Sequence, residues 1–222
     1  MTAAATSTAA ATSVLVAGVG GQGVLLVSEL VARAAIAAGH DALQTEVHGV
    51  SQRGGSVHSH VRFGATVHSP LIPVGQADLV VGLEKLEALR FAHYVRPDGA
   101  LVLDPHEIPP ISAGAEAMAR YPHDAADLLR RRGLRTLEVP ATDLALRELG
   151  NARVANVLVL GFLSTLLPLP PDVWPDLLAE QVPARFLALN RRAFALGAAL
   201  GRAEDDAAAR RSVGVRRGAI PR

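Results

Sequence analysis

The sequence contains no cysteine, and this absence excludes several kinds of site at once. Without a thiol, the chain has no disulfide, no thiolate zinc site, no cysteine nucleophile and no iron–sulfur cluster held by its own cysteines. If redox metal chemistry takes place where this protein acts, another chain must carry the metal.

The chain also lacks an excess of charge of either sign, and long apolar runs are scarce. The formal net charge is +1 over 222 residues, which gives no reason to expect nucleic acid or an anionic membrane as a partner. The most apolar segment, residues 154–167, contains Asn156 and two hydroxyl residues and falls short of the roughly 20 residues that a membrane span needs. Residues 2–13 lack the basic start and apolar centre of a secretory signal, so we expect a cytoplasmic protein.

Strand and helix patterns alternate along most of the chain. This alternation predicts an α/β, Rossmann-like fold, with a mostly parallel sheet flanked by helices, a β-hairpin insertion and a helical C-terminal part. We expect a disordered tail at residues 1–12, a single α/β domain at residues 13–201 and a flexible Arg-rich tail at residues 202–222. The last helix is expected at residues 183–200.

A glycine-rich turn joins the first strand pattern, residues 14–17, to a helix pattern at residues 24–38. Its glycines fit the spacing G-x-G-x-x-G, in which they permit a tight turn, close approach of a ligand and packing of helix on strand. The helix N-terminus then offers unpaired N–H groups to an anion. The alternative is a turn that only packs a helix on a sheet. The candidate binding residues of the turn are Gly18, Gly20, Gly21, Gln22 and Gly23.

A second polar loop follows the next strand pattern, residues 42–47, and runs from residue 48 to residue 56. Its arginine stands beside glycines that lack a Cβ, so a guanidinium and backbone N–H groups can grip a phosphate or carboxylate together. The alternative is a surface arginine after a flexible turn. Asp41 begins the strand at the wrong end for a ligand, so Glu46 is the candidate for a ribose hydroxyl. The candidate clamp consists of Ser51, Gln52, Arg53, Gly54 and Gly55.

Four histidines lie close together in the sequence, at positions 48, 58, 60 and 68. No carboxylate or cysteine is interleaved with them, whereas a zinc site needs three or four ligands, so we predict no metal site. Residues 56–63 alternate as a strand does, and the polar side chains of Ser56, His58, His60 and Arg62 are expected to face a partner or solvent. A turn at residues 64–65 would lead into a short partner strand at residues 66–68 and complete the hairpin.

Parallel strands collect their following loops at one edge of a sheet. The loops after Ala17, Val47 and Leu83 are therefore expected to converge on one crevice, which would bring together the glycine turn, the polar loop and Glu84. On the helix predicted at residues 84–94, Glu84, Lys85 and Glu87 are expected to be exposed. No Ser-His-Asp order or paired-carboxylate spacing stands out, so the sequence predicts no catalytic residue on this chain.

These motifs together resemble the gamma-type subunit or domain of 2-oxoacid:ferredoxin oxidoreductases, with the closest likeness to the beta subunit of indolepyruvate ferredoxin oxidoreductase. The likeness is strong over about residues 14–104 and continues more weakly through Asn156 and Gly161. The segment E-V-H-G-V-S-Q-R-G-G, residues 46–55, is more specific than the glycine turn. The N-tail, the Pro-rich residues 105–111 and the Arg-rich C-tail lie outside the pattern.

The resemblance implies a thiamine-diphosphate enzyme that oxidatively decarboxylates an arylpyruvate to an acyl-CoA and passes electrons to ferredoxin. In that family the thiamine and the iron–sulfur clusters reside on the partner, or alpha, subunit, so this chain is not expected to be active alone. The family's gamma domain is associated with coenzyme A, which would give the glycine turn and the clamp a diphosphate to hold. Two alternatives stay open: a free-standing NAD(P)-dependent dehydrogenase with Glu46 on the ribose, and a non-enzymatic nucleotide-binding scaffold.

Overall fold

A six-stranded sheet organises the chain, for which a computed structural model describes residues 11–48, 55–109 and 121–217. The strand order is β2-β3-β1-β4-β5-β6, and the pairs β1–β4, β4–β5 and β5–β6 are parallel. Strand β3 lies between β1 and β2 and is antiparallel to both. The strands are Thr12–Val19 (β1), Asp41–His48 (β2), Ser56–Gly64 (β3), Ala77–Gly82 (β4), Val95–Leu103 (β5) and Arg135–Glu138 (β6).

Helices cover both faces of the sheet. Alternate residues of β1 belong to different cores: Val14 and Val16 pack in the core on the side of α1, whereas Leu15 and Ala17 pack with α2 and α3. This arrangement confirms the predicted α/β class. The described helices are Val24–Ala37 (α1), Lys85–Phe91 (α2), Ala125–Arg131 (α3), Ala141–Leu149 (α4), Ala155–Leu166 (α5), Trp174–Gln181 (α6) and Ala184–Arg217 (α7).

The predicted hairpin between residues 56–63 and residues 66–68 is wrong. Residues 66–68 form no strand, and β3 pairs instead with β2, from Asp41 opposite Gly64 to His48 opposite Val57. Strand β3 pairs along nearly its whole length with β1 on one edge and with β2 on the other. The backbone N–H of Val67 donates to Asp41 Oδ2 at 2.8 Å, so a side chain holds the segment that follows β3.

Helices α5 and α7 pack with their backbones close together. A Cβ added at Gly197 would lie 1.8 Å from the carbonyl oxygen of Leu158, and one at Gly161 would lie 2.1 Å from that of Phe194. Only glycine allows this close approach of the two backbones. The packing fixes the position of α5 and of Asn156 in its first turn. Helix α7 continues to Arg217, beyond the predicted end near Leu200, because alanine and arginine favour helix. The division of the chain at residues 12 and 202 stays a prediction.

Among the described residues, no helix combines the length and the apolar character that crossing a membrane requires.

Part of the polar face of β3, which was predicted to face a partner or solvent, is covered by the protein itself. His60 is only 3% exposed, and its Nδ1 accepts a hydrogen bond from the N–H of Ile72 at 3.1 Å. Its ring also contacts those of His58 and Tyr94. The segment after β3 and the turn after α2 therefore cover this part of the strand, which the alternation of residues alone does not show. No group of three His, Cys, Asp or Glu side chains in the described ranges is placed to hold a metal ion.

Burial, and to a lesser extent the neighbouring His58, lowers the pKa of His60 from 6.5 to about 4. The unfolded chain therefore takes up a proton at this ring in a pH range where the folded chain does not. The stability that comes from the neutral ring is fully present above about pH 6.5 and is lost as the pH falls toward 4.

We expect the substitution His60→Asn to weaken the acid destabilisation of the protein. Asparagine keeps an acceptor for the N–H of Ile72 but cannot take up the proton. Between pH 7.5 and pH 5 the wild type should lose about 2 kcal/mol more free energy of unfolding than the variant does. Denaturant unfolding at both pH values measures this, with His93→Asn at the exposed His93 as the control. Equal pH dependence in wild type and His60→Asn would contradict the assignment.

Candidate functional site

The prediction that the strands before the three loops end at one sheet edge is confirmed. Strands β1, β2 and β4 end at the same edge, and the antiparallel β3 begins there. The N–H of Gly20 donates to the carbonyl oxygen of Gly55 at 2.9 Å, so the end of the polar loop lies against the glycine turn. The side chain of Gln22 reaches Leu83 at the end of β4. The sheet topology therefore creates one crevice from segments that are far apart in sequence.

Each of three glycines in the turn has a separate reason to lack a side chain. A Cβ at Gly18 would lie 2.9 Å from Gln22 Oε1, and one at Gly23 would lie 2.1 Å from Asn156 Nδ2. Gly21 and Gly23 adopt the left-handed region, with φ of 104° and 82°. Helix α1 begins directly after Gly23, and the N–H groups of its first turn have no partner within the helix. These groups and the positive end of the helix dipole favour an anion in the crevice.

Gln22 braces the crevice with its side chain. Its Oε1 accepts from the N–H of Val19 at 2.7 Å, and its Nε2 donates to the carbonyl oxygen of Leu83 at 2.7 Å. The side chain thus joins the end of β1 to the end of β4 and is committed to the protein at both ends. The sequence could not distinguish this brace from a ligand contact. That Gln22 contributes to anion binding stays a prediction.

A cavity of about 360 Å³ opens between the glycine turn and the ends of β4 and β5. One wall is the turn itself, and a second is the segment after β5 with His106 and Ile108. The third consists of Arg153, in the short 3-10 turn before α5, and Asn156, in the first turn of α5. The Arg153 guanidinium and the N-terminus of α1 both favour a negatively charged guest. The volume suits part of a cofactor-sized molecule.

Asp104 lies at the carboxyl end of β5 and also lines this cavity. Its Oδ2 accepts from both the N–H and the hydroxyl of Thr142, at 3.0 and 2.6 Å, and its Oδ1 accepts from the N–H of His106 at 3.3 Å. Burial raises the pKa of Asp104, although these hydrogen bonds act against the rise. The Asp104 carboxylate therefore connects the end of β5 to the start of α4 at the floor of the cavity. Thr142 lies in the first turn of α4, and Pro140 stands at the N-cap of that helix.

Asp104 and Asn156 line the cavity but are not among the binding residues predicted from the sequence. Asn156 is buried in the first turn of α5, where its Oδ1 accepts from the N–H of Val157 and its Nδ2 lies above Gly23. The sequence contained a signal that could have pointed to each of these two residues. Asp104 directly follows a buried strand, and Asn156 is a polar residue in an otherwise apolar helix. Neither signal says which distant segment the side chain meets.

Glu46 does not lie at the glycine turn. It is an exposed residue of β2, paired with Ser59, and β3 separates its strand from β1. With about 4.8 Å between neighbouring strands, its strand lies roughly 10 Å from β1. A ribose contact of the kind expected in a dinucleotide enzyme is therefore not supported. Of the clamp, Gly55 lies against the glycine turn, where it accepts from the N–H of Gly20, whereas Ser51, Gln52, Arg53 and Gly54 lie outside the described residues.

The predicted exposure of Glu84, Lys85 and Glu87 is wrong. All three are buried, with Glu84 only 1% and Glu87 4% exposed. Helix α2 packs tightly on β4, where a Cβ at Gly82 would lie 2.3 Å from the Cβ of Ala88, and distant segments that contain Ser56, Ile108 and Tyr121 cover its first turn. Burial raises the pKa of Glu87, while a hydrogen bond from Ser56 and the charge of Arg90 act against the rise. A sequence pattern that looked like a solvated face is thus a buried polar cluster beside the cavity.

Comparison with known proteins identifies relatives of the whole domain. The family model described as pyruvate ferredoxin/flavodoxin oxidoreductase matches residues 13–200. The indolepyruvate oxidoreductase subunit IorB of Thermococcus kodakarensis is 35% identical over 192 residues, which cover 83% of this chain and 93% of the relative.

Two solved structures share the fold. One is the gamma subunit of a keto/oxoacid ferredoxin oxidoreductase from Geobacter sulfurreducens, with a TM-score of 0.66 and 23% identity over 86% of this chain and 99% of that chain. The other is the 2-oxoglutarate:ferredoxin oxidoreductase of Magnetococcus marinus, solved with 2-oxoglutarate, coenzyme A and succinyl-CoA bound. Its TM-score is 0.68, with 21% identity over 87% of this chain and 31% of that chain.

The brace formed by Gln22 can be tested by the substitution Gln22→Glu. A carboxylate cannot donate to Leu83, so the carbonyl oxygen of Leu83 loses its donor and faces a negative charge. We expect the free energy of unfolding to fall by about 1–3 kcal/mol, which exceeds the gain of less than about 1 kcal/mol from a carboxylate near the helix N-terminus. Chemical denaturation measures it, with Gln76→Glu at an exposed position as the control. If both variants are equally stable, Gln22 does not brace the strands.

Proposed function

The chain belongs to the pyruvate ferredoxin/flavodoxin oxidoreductase family, as a subunit of a 2-oxoacid:ferredoxin oxidoreductase, and on that premise we propose that it is the non-thiamine subunit of an indolepyruvate-type enzyme. The proposed reaction is the oxidative decarboxylation of an arylpyruvate to an acyl-CoA, with electrons passed to ferredoxin. The observation that carries the proposal is the likeness to an indolepyruvate oxidoreductase subunit over nearly that relative's whole length.

The composition of the chain supports a division of labour with an alpha subunit. An iron–sulfur cluster needs cysteine thiolates, and the sequence has none, so the residues of this chain do not fit a cluster. We propose that thiamine diphosphate and the clusters belong to the partner and that ferredoxin meets that partner. The chain's own contribution is then a binding surface, with no catalytic residue.

We propose coenzyme A as the anionic guest of the crevice. The N-terminus of α1 and Arg153 supply positive potential, and the glycine turn allows close approach of a diphosphate. The bond between Gly20 and Gly55 supports a clamp from residues 51–55 at the same place. In this arrangement the chain binds and orients the diphosphate, Asp104 and Thr142 keep the floor rigid, and Gln22 fixes the turn.

A free-standing nicotinamide dehydrogenase is not favoured, because β3 lies between β1 and the strand that carries Glu46. A non-enzymatic scaffold is not favoured either, given the family of enzyme subunits to which the chain belongs.

The cytoplasmic location stays a prediction of the sequence.

Co-expression with the thiamine-binding, cysteine-rich subunit from the same genome tests the proposal. We expect a stable complex that oxidises indolepyruvate only when CoA and an electron acceptor are present, and no turnover by the isolated chain. The rates with pyruvate and with 2-oxoglutarate are measured for comparison with the rate for indolepyruvate. Turnover by the isolated chain, or its tight binding of a nicotinamide dinucleotide, would overturn the subunit assignment.

Within this complex, Arg53→Ala tests the clamp. Loss of a charge-assisted contact to phosphate should raise the KM for CoA about tenfold, with kcat and assembly unchanged. Arg191→Ala, at an exposed position of α7, is the matched control. An unchanged KM for CoA would remove Arg53 from the clamp.

A further inference from the structure

Two buried carboxylates on one helical turn lie next to the cavity. Glu84 stands at the N-cap of α2, and Glu87 lies three residues later in its first turn. A buried carboxylate is costly unless hydrogen bonds compensate it. The donors to these two side chains come from distant segments: the segment after β5 is a wall of the cavity, and the start of β3 adjoins the glycine turn that forms another wall.

Glu84 holds the wall that follows β5. Its Oε2 accepts from the N–H of Glu87 at 2.9 Å, which caps the helix, and its Oε1 accepts from the N–H of Ile108 at 3.2 Å and from the hydroxyl of Tyr121. Ile108 lines the cavity. The N–H of Lys85 donates to the carbonyl oxygen of His106 at 3.0 Å, so the start of α2 holds this wall through backbone as well.

Lys85 adds a third connection on the same side. Its ammonium group pairs with Glu107 and donates to the carbonyl oxygen of His123 at 3.0 Å. Glu107 also contacts the ring of His123 at 3.0 Å. The segments before residue 110 and after residue 120 are therefore both attached to the first residues of α2.

Glu87 is connected, through Ser56, to the glycine turn on the opposite side of the cavity. Its Oε2 accepts from the hydroxyl of Ser56 at 2.5 Å. Ser56 pairs with Val19 at the end of β1, and the preceding Gly55 accepts from the N–H of Gly20. One turn of helix thus connects the glycine turn, through Glu87, to the wall with His106 and Ile108, through Glu84.

We propose that Glu84 and Glu87 are positioning residues that together set the separation between the glycine turn and the His106–Ile108 wall. A carboxylate suits this task because its two oxygens accept hydrogen bonds from different segments at the same time. The proposal rests on the proposed function in one respect: the cavity so shaped is the one assigned to coenzyme A.

Four variants separate positioning from general stability. Glu84→Ser keeps a helix cap but is too short to reach Ile108 and Tyr121. Glu87→Ala and Ser56→Ala each remove the same hydrogen bond from opposite sides. Glu87→Gln is the conservative variant, since the Ser56 hydroxyl can rotate to bond with an amide. Asp127→Asn, at an exposed carboxylate of α3, is the control.

The first measurement is amide hydrogen exchange of the full chain. We expect Glu87→Ala and Ser56→Ala to lower the protection of the Gly20 N–H by roughly tenfold or more and leave that of Ile108 unchanged. Glu84→Ser should do the reverse, and Glu87→Gln and Asp127→Asn should match the wild type. Unchanged protection at both amides, or a uniform fall across the whole chain, would overturn the proposal.

The second measurement is the kinetics of the reconstituted complex. Misplaced walls should raise the KM for CoA roughly tenfold in Glu84→Ser, Glu87→Ala and Ser56→Ala, with recovery in Glu87→Gln and little change in kcat or in the KM for the 2-oxoacid. A wild-type complex without CoA-dependent turnover would contradict the proposed function alone, because the exchange pattern still decides whether the two carboxylates position the walls. The expected exchange pattern with an unchanged KM for CoA would overturn their role in shaping the binding site.

Discussion

The antiparallel pairing of β3 with β1 is the constraint on which the rest of the site depends. Because β3 runs against its neighbours, it begins at the edge where β1, β2 and β4 end. The polar loop must therefore return to the sheet beside the glycine turn, where Gly20 and Gly55 share a hydrogen bond. A parallel strand in this place would begin at the far edge, and the two segments would not meet.

The same edge explains why charged residues of α2 are buried. A helix that follows β4 at this edge starts between the glycine turn and the segment after β5, so its first turn is covered from both sides. Carboxylates in that position are stable only with donors, and Ser56, Ile108 and Tyr121 supply them. The polar cluster is thus a consequence of topology as much as of sequence.

Some of these features could be predicted from the sequence and others could not. The strand–turn–helix start, the parallel sheet and the convergence of loops could be predicted, because periodicity and the direction of parallel strands determine them. The burial of Glu84, Glu87 and His60 could not, because it depends on segments that pack over them from far along the chain. For the same reason Asp104 looked like a strand end and Gln22 like a ligand contact, although each has partners within the protein.

Such a site is rigid in its described parts but chemically incomplete. Hydrogen bonds within the chain occupy the polar side chains of Gln22, Asp104 and Glu84, so they can hold a shape more readily than they can move a proton for a substrate. The positive potential of α1 and Arg153 favours binding a negative group but supplies no means of accepting electrons. In the proposed function, the chain contributes to oxidation when another subunit brings the reacting centre to the crevice. Under that proposal the positions of the walls matter, because two separately folded subunits would have to present cofactor and guest to each other in one geometry.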